Sequence, residues 1–322
     1  MMIIPDFLVN DDTIGVTACS CGVLDKLEKY EKSINNIKAQ GFKVLETANV
    51  RTSGIVSSDA LTRVEELNSL IINKDIKMIN IAAGGDFLYE ILPLLNYDLI
   101  KNNIKWFGGS SDPTSLIYSI TTKLDIPTIY TPCNMSGYSS ENLHQSYLDY
   151  FEIIKGNLVK QYKSLKYESL DDVFDLDNDW DSYGKDIDEV GVILGGCIEC
   201  LKDIIGTNFD NTLEFIEKYK EEGIIWYFDV FSMSSEDLYR TLLQFKNAGW
   251  FKYTKLILIG KVKYPSSFMD LDYSEMIKKA LRDYNVIYKF DVGHVKPSMT
   301  MINGFKARVK YKNNEGSLEY LK

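Results

Sequence analysis

Histidine is scarce: the chain of 322 residues has two, His144 and His294. Proton transfer that needs an imidazole must therefore run through one of those two positions. Cysteine is also sparse and its count of five is odd, which excludes a disulfide framework as the source of stability at this length. Positive charge is in deficit, 36 Lys and Arg against 46 Asp and Glu, for a net charge of −10 and a pI of about 4.9. That balance argues against a surface made to neutralise a nucleic acid polymer or an anionic membrane, and in favour of a small or uncharged ligand. No run approaches the roughly 20 apolar residues that span a bilayer. The opening Met1-Met2-Ile3-Ile4-Pro5-Asp6 lacks a basic region followed by an apolar core, so a cytoplasmic location is expected. What the chain has in quantity is apolar surface, 45% of residues with 12% aromatic. That can form a large core, and the length exceeds what one core usually supports, so two domains are expected.

The order of elements gives the fold class. Asp12 to Ala18, Gly41 to Glu46, Lys77 to Ala83, Ile104 to Phe107 and Pro127 to Tyr130 read as strands. Between them Leu24 to Gln40, Ser58 to Asn73 (with Ser58 as its cap) and Leu88 to Leu95 have helical spacing. Strands alternating with helices make a parallel sheet covered on both faces, with the active crevice beyond the carboxyl ends of the strands. Residues 1–140 are therefore expected to form a Rossmann-like α/β domain. Residues 141–188 read as a connection, with a helix over Tyr147 to Leu165 followed by an acid-rich run (Asp171, Asp172, Asp175, Asp177, Asp179, Asp181). Residues 189–322 resume with strands at Glu189 to Leu194, Gly223 to Val230, Lys255 to Gly260, Asn285 to Phe290 and Gly304 to Tyr311, a second, β-rich domain.

Chemistry concentrates at the strand ends. Phe107-Gly108-Gly109-Ser110-Ser111-Asp112 joins a strand to the helical Ser115 to Ile120, and glycines at such a corner let the backbone turn sharply and expose a hydroxyl at the helix N-terminus. The same residues could simply cap that helix, with Pro113 in its first turn. A nucleophilic serine needs a base, and the base needs an acid. His294 follows a strand and a glycine, whereas His144 sits in a polar stretch and reads as a surface residue. Asp229 and Glu199 are the candidate acids. Cys19, Cys21, Cys197 and Cys200 could pool thiolates around zinc, but each pair lies beside an apolar run rather than in a knuckle turn, so buried reduced thiols are expected. The acid run lacks the glycine and terminal glutamate of a calcium loop and reads as a solvated surface. Neither metal nor organic cofactor is expected.

In order, Asp12 to Ala18, Ala83-Gly84-Gly85, Ile91-Leu92-Pro93-Leu94-Leu95 with Asp98-Leu99-Ile100, Phe107 to Asp112, Leu194-Gly195-Gly196-Cys197 and Gly293-His294 resemble the motifs of the LD-carboxypeptidase family of serine peptidases. The resemblance covers nearly the whole chain. It implies a Rossmann-like N-terminal domain, a linker, a β-rich C-terminal domain and a homodimer. It also implies a serine–acid–histidine triad, with Ser111 as nucleophile, Ser110 as its variable neighbour, His294 as base, and the backbone N–H groups of Gly85 and Asp112 as the oxyanion hole. The family's acid is a glutamate, and Asp229 falls at its place; restoring it as Asp229→Glu is expected to keep or raise activity. A family His-Gly-Pro is Tyr130-Thr131-Pro132 here, and Asp86-Phe87 replaces part of a glycine-rich turn, both where substrate would sit. The implied substrate is a murein-type peptide with a terminal D-amino acid, with an aminoacyl-nucleotide amide as the alternative. A catalytically silent binding protein that kept the pocket is the alternative from another class.

Overall fold

A computed structural model describes residues 2–170 and 173–321; Asp171 and Asp172 of the acid run lie outside the described residues. The chain divides into two compact units, Met1–Leu158 with Thr300–Ile302, and Val159–Met299 with Asn303–Lys322.

The first unit carries β1 (Thr13–Thr17), β2 (Lys43–Glu46), β3 (Ile76–Ile81), β4 (Trp106–Gly109) and β5 (Thr128–Tyr130). These strands pair in parallel, β2-β1-β3-β4-β5. Parallel pairing requires crossovers, and helices Leu27–Ala39, Ala60–Ile72 and Thr114–Leu124 supply them. The central strands are buried along their length: Ile14, Val16, Met78, Ile79, Trp106 and Phe107 are inaccessible or nearly so. Burial on both faces of the central strands is the pattern of a parallel sheet covered by its crossover helices, whereas the edge strand β2 keeps Lys43 and Leu45 exposed. The chain leaves β1 toward one edge and β3 toward the other, so the switch in strand order falls between β1 and β3, where such sheets open a crevice.

The Ala60–Ile72 helix is capped by Asp59, whose carboxylate accepts from the Thr62 N–H at 3.0 Å. Ser58 is thus one position too early to be the cap, and the more strongly accepting carboxylate takes the first-turn amide. Helix Tyr97–Asn102, capped by Asn96, is too short to show a period. The helix expected over 147–165 is Gln145–Ile154. It ends early because Gly156 adopts φ +87°, a conformation that stops a helix.

The second unit begins with β6 (Gln161–Tyr162), β7 (Lys166–Leu170) and β8 (Val173–Asp177), so the acid run is partly a hairpin of its own. β9 (Ile187–Cys197), β10 (Ile224–Asp229), β11 (Thr254–Gly260) and β12 (Val286–Phe290) are parallel neighbours. β13 (Met301–Asn303) joins the first unit's sheet, and β14 (Lys306–Lys312) and β15 (Glu315–Tyr320) return antiparallel beside β9, giving the order β12-β11-β10-β9-β14-β15-β6. β10 is buried at all six positions, and Trp226 stacks on Trp250 with centroids 5.7 Å apart. Helix Ser235–Asn247 opens on Ser234, whose hydroxyl accepts from the Asp237 N–H.

Candidate active site

In the first unit, three loops meet at the carboxyl ends of the strands. The loop after β1 donates the Cys21 N–H to the Gly84 carbonyl at 3.1 Å, tying it to the loop after β3. Between them Arg63, wholly buried, donates to the carbonyls of Cys19 (2.9 Å) and Phe87 (2.8 Å) and pairs with Glu90. A buried guanidinium is tolerated where its fork is occupied in this way, and here the fork fixes the spacing of the two loops.

The third loop is the serine corner. Ser111 has φ +69°, a left-handed conformation that costs a residue with a Cβ about 1–2 kcal/mol and is found where function holds it. The Ser111 N–H donates to the Tyr130 hydroxyl at 2.9 Å. A Cβ placed on Gly84 would stand 2.9 Å from Ser111 Cβ, 3.0 Å from its Oγ and 3.7 Å from the Asp112 nitrogen. Glycine is therefore required at 84 for the loops to approach, and the same approach sets the hydroxyl beside the Asp112 N–H. Gly85, at φ +136°, would collide through any Cβ with Cys21 and Ser20.

The capping alternative does not describe this corner. The N-cap of helix Thr114–Leu124 is Pro113, with no side-chain cap. The Asp112 carboxylate turns instead to the Ser20 hydroxyl (2.5 Å) and the Leu88 N–H (2.9 Å). Burial pushes the Asp112 carboxyl up, the Ser20 hydroxyl and Leu88 N–H oppose that rise, and the charge of Asp86 adds to it. Ser20 also accepts from the Phe87 N–H at 3.2 Å. Sequence reasoning missed Ser20, Arg63 and the Tyr130 contact. Only Tyr130 carried a signal, as a departure from the family pattern after the fifth strand.

In the second unit, Asp229 and His294 come together. His294 Nδ1 lies 2.7 Å from Asp229 Oδ2, and the His294 N–H donates to Asp229 Oδ1 at 3.0 Å. Asp229 is fully buried, and the His294 side chain is 21% exposed. A buried carboxylate is costly unless bonded on both oxygens, and here one residue meets both. With Nδ1 held by the acid, Nε2 is the ring nitrogen left to act on substrate. Gly293, at φ +107°, has no room for a Cβ, which would strike the Asp229 carboxylate. The Phe231 ring lies 4.5 Å from the imidazole.

Glu199 has a different task. Its Oε1 accepts from the N–H groups of Phe231, Ser232 and Met233 at 3.0, 3.0 and 3.2 Å, holding the loop that follows Asp229. His144 caps helix Gln145–Ile154, its Nδ1 accepting from the Ser146 N–H at 3.1 Å. The five cysteines are free; Cys19, Cys133 and Cys197 are buried. Burial pushes the Cys19 thiol up to about 12. The Cys200 hydrogen bond, then burial, raises Cys197. No group of three potential ligands converges among the described residues, and no helix is long and apolar enough to cross a membrane.

Each unit thus holds one polar constellation at strand ends, the Ser111 corner in the first and the Asp229–His294 pair in the second. The chain belongs to the LD-carboxypeptidase family of serine peptidases: residues 14–131 match the family's N-terminal domain and residues 190–309 its C-terminal domain. A Treponema pallidum protein named as a carboxypeptidase is 26% identical over 317 residues, covering 94% of this chain and 90% of the relative. The microcin C7 self-immunity protein MccF of Escherichia coli is 24% identical over 330 residues, covering 95% and 93%. MccF solved with aspartyl sulfamoyl adenosine superimposes with a TM-score of 0.83 at 22% identity, covering 98% of each chain. The muramoyltetrapeptide carboxypeptidase of Oxalobacter formigenes gives a TM-score of 0.76 at 19% identity, covering 96% and 99%.

Proposed function

We propose that the protein is an LD-carboxypeptidase-type hydrolase that cleaves the amide bond before a terminal D-amino acid in a murein-type peptide by acyl transfer. The observation that carries the reading is the Asp229–His294 pair, whose side chains lie 2.7 Å apart and whose backbone N–H bond is 3.0 Å, because a fully buried acid beside a partly exposed imidazole is the arrangement that supports general-base catalysis. In this reading Ser111 Oγ attacks the carbonyl carbon as its proton passes to His294 Nε2. The oxyanion gains the N–H groups of Gly85 and Asp112. Collapse expels the terminal amino acid, whose nitrogen takes the proton from His294. Water, deprotonated by the same histidine, then releases the acyl group from Ser111. Asp229 holds the imidazole in one tautomer and stabilises its cation.

A second reading, cleavage of an aminoacyl-nucleotide amide, draws on the likeness to MccF along 95% of this chain. The chemistry at Ser111 is the same, and only the leaving group differs. Incubation with a D-alanine-terminated tetrapeptide and with an aminoacyl nucleotide separates the two by which product forms. Ser111→Ala should abolish turnover of whichever is cut while leaving the melting temperature within a few degrees. Equal turnover by wild type and Ser111→Ala would sink both readings, and loss in Ser110→Ala alone would move the nucleophile by one residue.

A further inference from the structure

The second unit holds a cavity of about 780 Å³ beyond the ends of β11 and β12, and its lining includes Val295, the residue after His294. Three lysines reach it, Lys261, Lys263 and Lys289, in a protein whose net charge is −10. Two of them are matched. Lys261 is buried, its ammonium donating to Asp291 Oδ1 at 2.8 Å and to the Lys289 carbonyl at 2.9 Å. Asp291 also accepts from the Asn178 amide and the Ser164 N–H, the extra bonds that let a buried pair persist. Lys263 donates to the enclosed Glu168 carboxylate at 2.8 Å. The floor and one wall are thus internally neutral and fixed.

Lys289 differs. It is exposed, held at φ +60°, with its ammonium 5.9 Å from the Tyr288 ring centre. Among the described residues no carboxylate pairs with it. The aromatic lining continues toward the base: Tyr264 stands edge-on to Phe231 at 5.1 Å, and Phe231 lies 4.5 Å from His294. Tyr264 and Phe231 are 57% and 38% exposed, and Tyr264 is part of the cavity lining. A cavity of this size exceeds the needs of a single amino acid and suits a peptide arm or a nucleotide-sized body.

We propose that this cavity binds an anionic arm of the substrate, the Lys289 ammonium meeting a carboxylate or phosphate-type oxygen while the tyrosine rings pack against the body that carries it. The proposal rests on the hydrolase reading only in placing the arm next to the bond that Ser111 attacks. One cation over a neutral, preformed floor selects for charge more than it adds affinity, and a single partly exposed pair is worth a several-fold change in binding.

Binding is tested by calorimetry on full-length Ser111→Ala protein, with and without Lys289→Gln or Lys289→Glu. The probes are a D-alanine-terminated tetrapeptide with free carboxylates, its carboxamide-blocked form, adenosine monophosphate, and adenosine as its uncharged control. The expected result is a Kd for a charged probe raised about threefold by Lys289→Gln and about tenfold by Lys289→Glu, with the matching neutral probe changed less than about twofold. Confinement of the effect to the peptide identifies a carboxylate arm, and confinement to the adenosine derivative a phosphate-type arm; either supports the proposal. Equal weakening of charged and neutral probes, no change with any probe, or failure of every charged probe to bind the protein with Lys289 intact overturns it. Turnover plays no part in this readout, so an inactive wild type would refute the hydrolase reading and leave the result on the cavity standing.

Discussion

In the first unit the Ser111 hydroxyl is positioned by backbone: Ser111 sits at φ +69°, and Gly84 and Gly85 let two loops close on it without a Cβ between them. In the second unit the imidazole is positioned by side chain, through the two oxygens of a buried Asp229. Both constellations stand at the carboxyl ends of parallel strands. The difference shows that one sheet geometry can present chemistry through strain at a corner or through a buried charge, and that each solution fails differently. Removal of the charge leaves a well-shaped but electrostatically empty site. Crowding of the corner leaves the charges intact and misplaces the Ser111 hydroxyl.

The largest effect is expected from removal of the charge. Asp229→Asn should lower kcat by about 10² to 10⁴, since the amide supplies no charge to the imidazolium and can hold the wrong tautomer. Glu199→Gln in the same assay should stay within about threefold, because an amide oxygen still accepts from the loop N–H groups. A dead Glu199 variant beside an active Asp229 variant would reverse the assignment. Asp229→Glu, which the family pattern suggested would be neutral or better, is expected to lose activity. The carboxylate already touches Gly293 in a fully buried setting, and an added methylene there costs about 1–3 kcal/mol of overpacking.

Crowding comes next. Gly84→Ala places a methyl 2.9 Å from Ser111 Cβ, and kcat should fall about 10- to 100-fold with the Asp229–His294 pair undisturbed. Wild-type kcat in this variant would show that the two loops do not set the hydroxyl. Smaller still is the strain itself. Ser111→Gly should melt higher than Ser111→Ala by the equivalent of about 1 kcal/mol, because only the former relaxes the left-handed backbone; equal melting temperatures would remove strain from the comparison.

The smallest effect concerns a second carboxylate of the second unit. Burial opposes ionisation of Glu236, but the Ser267 hydroxyl and the N–H groups of Met269 and Phe268 outweigh it and bring the carboxyl down to about 2. A lowered folded value means stability present above the ordinary glutamate range near 4.3 and lost as pH falls through about 2. The melting-temperature gap between wild type and Glu236→Gln should therefore be full at pH 6 and shrink between about pH 4 and 2. A gap constant with pH would assign the effect to packing.

Much of this was legible in the sequence because the signals are local. Apolar runs marked β1 to β5, β9 to β12 and β14, whereas the short or polar β6, β13 and β15 went unread, and glycine-flanked corners drew attention to Ser111 and His294. The resemblance to the family placed Asp229, which spacing alone left level with Glu199. The unread parts depend on long-range contact. Ser20 reaches Asp112 across 92 positions and Arg63 reaches Cys19 across 44, separations at which no periodicity survives. The hairpin of β7 and β8 was hidden by charge: its acids suit a solvated surface whether or not the backbone pairs. Lys289 was read simply as part of a strand, and its distinction is that among the described residues no carboxylate pairs with it as Asp291 does with Lys261 and Glu168 with Lys263.

Covalent labelling is the sharpest probe of whether the His294–Asp229 pair activates Ser111. Full-length protein treated with a fluorophosphonate should gain one adduct, mapped by peptide mass to Ser111. The labelling rate should drop by at least about 10²-fold in His294→Ala and in Asp229→Asn. An adduct on Ser110, no adduct at all, or a rate indifferent to both substitutions would contradict the account.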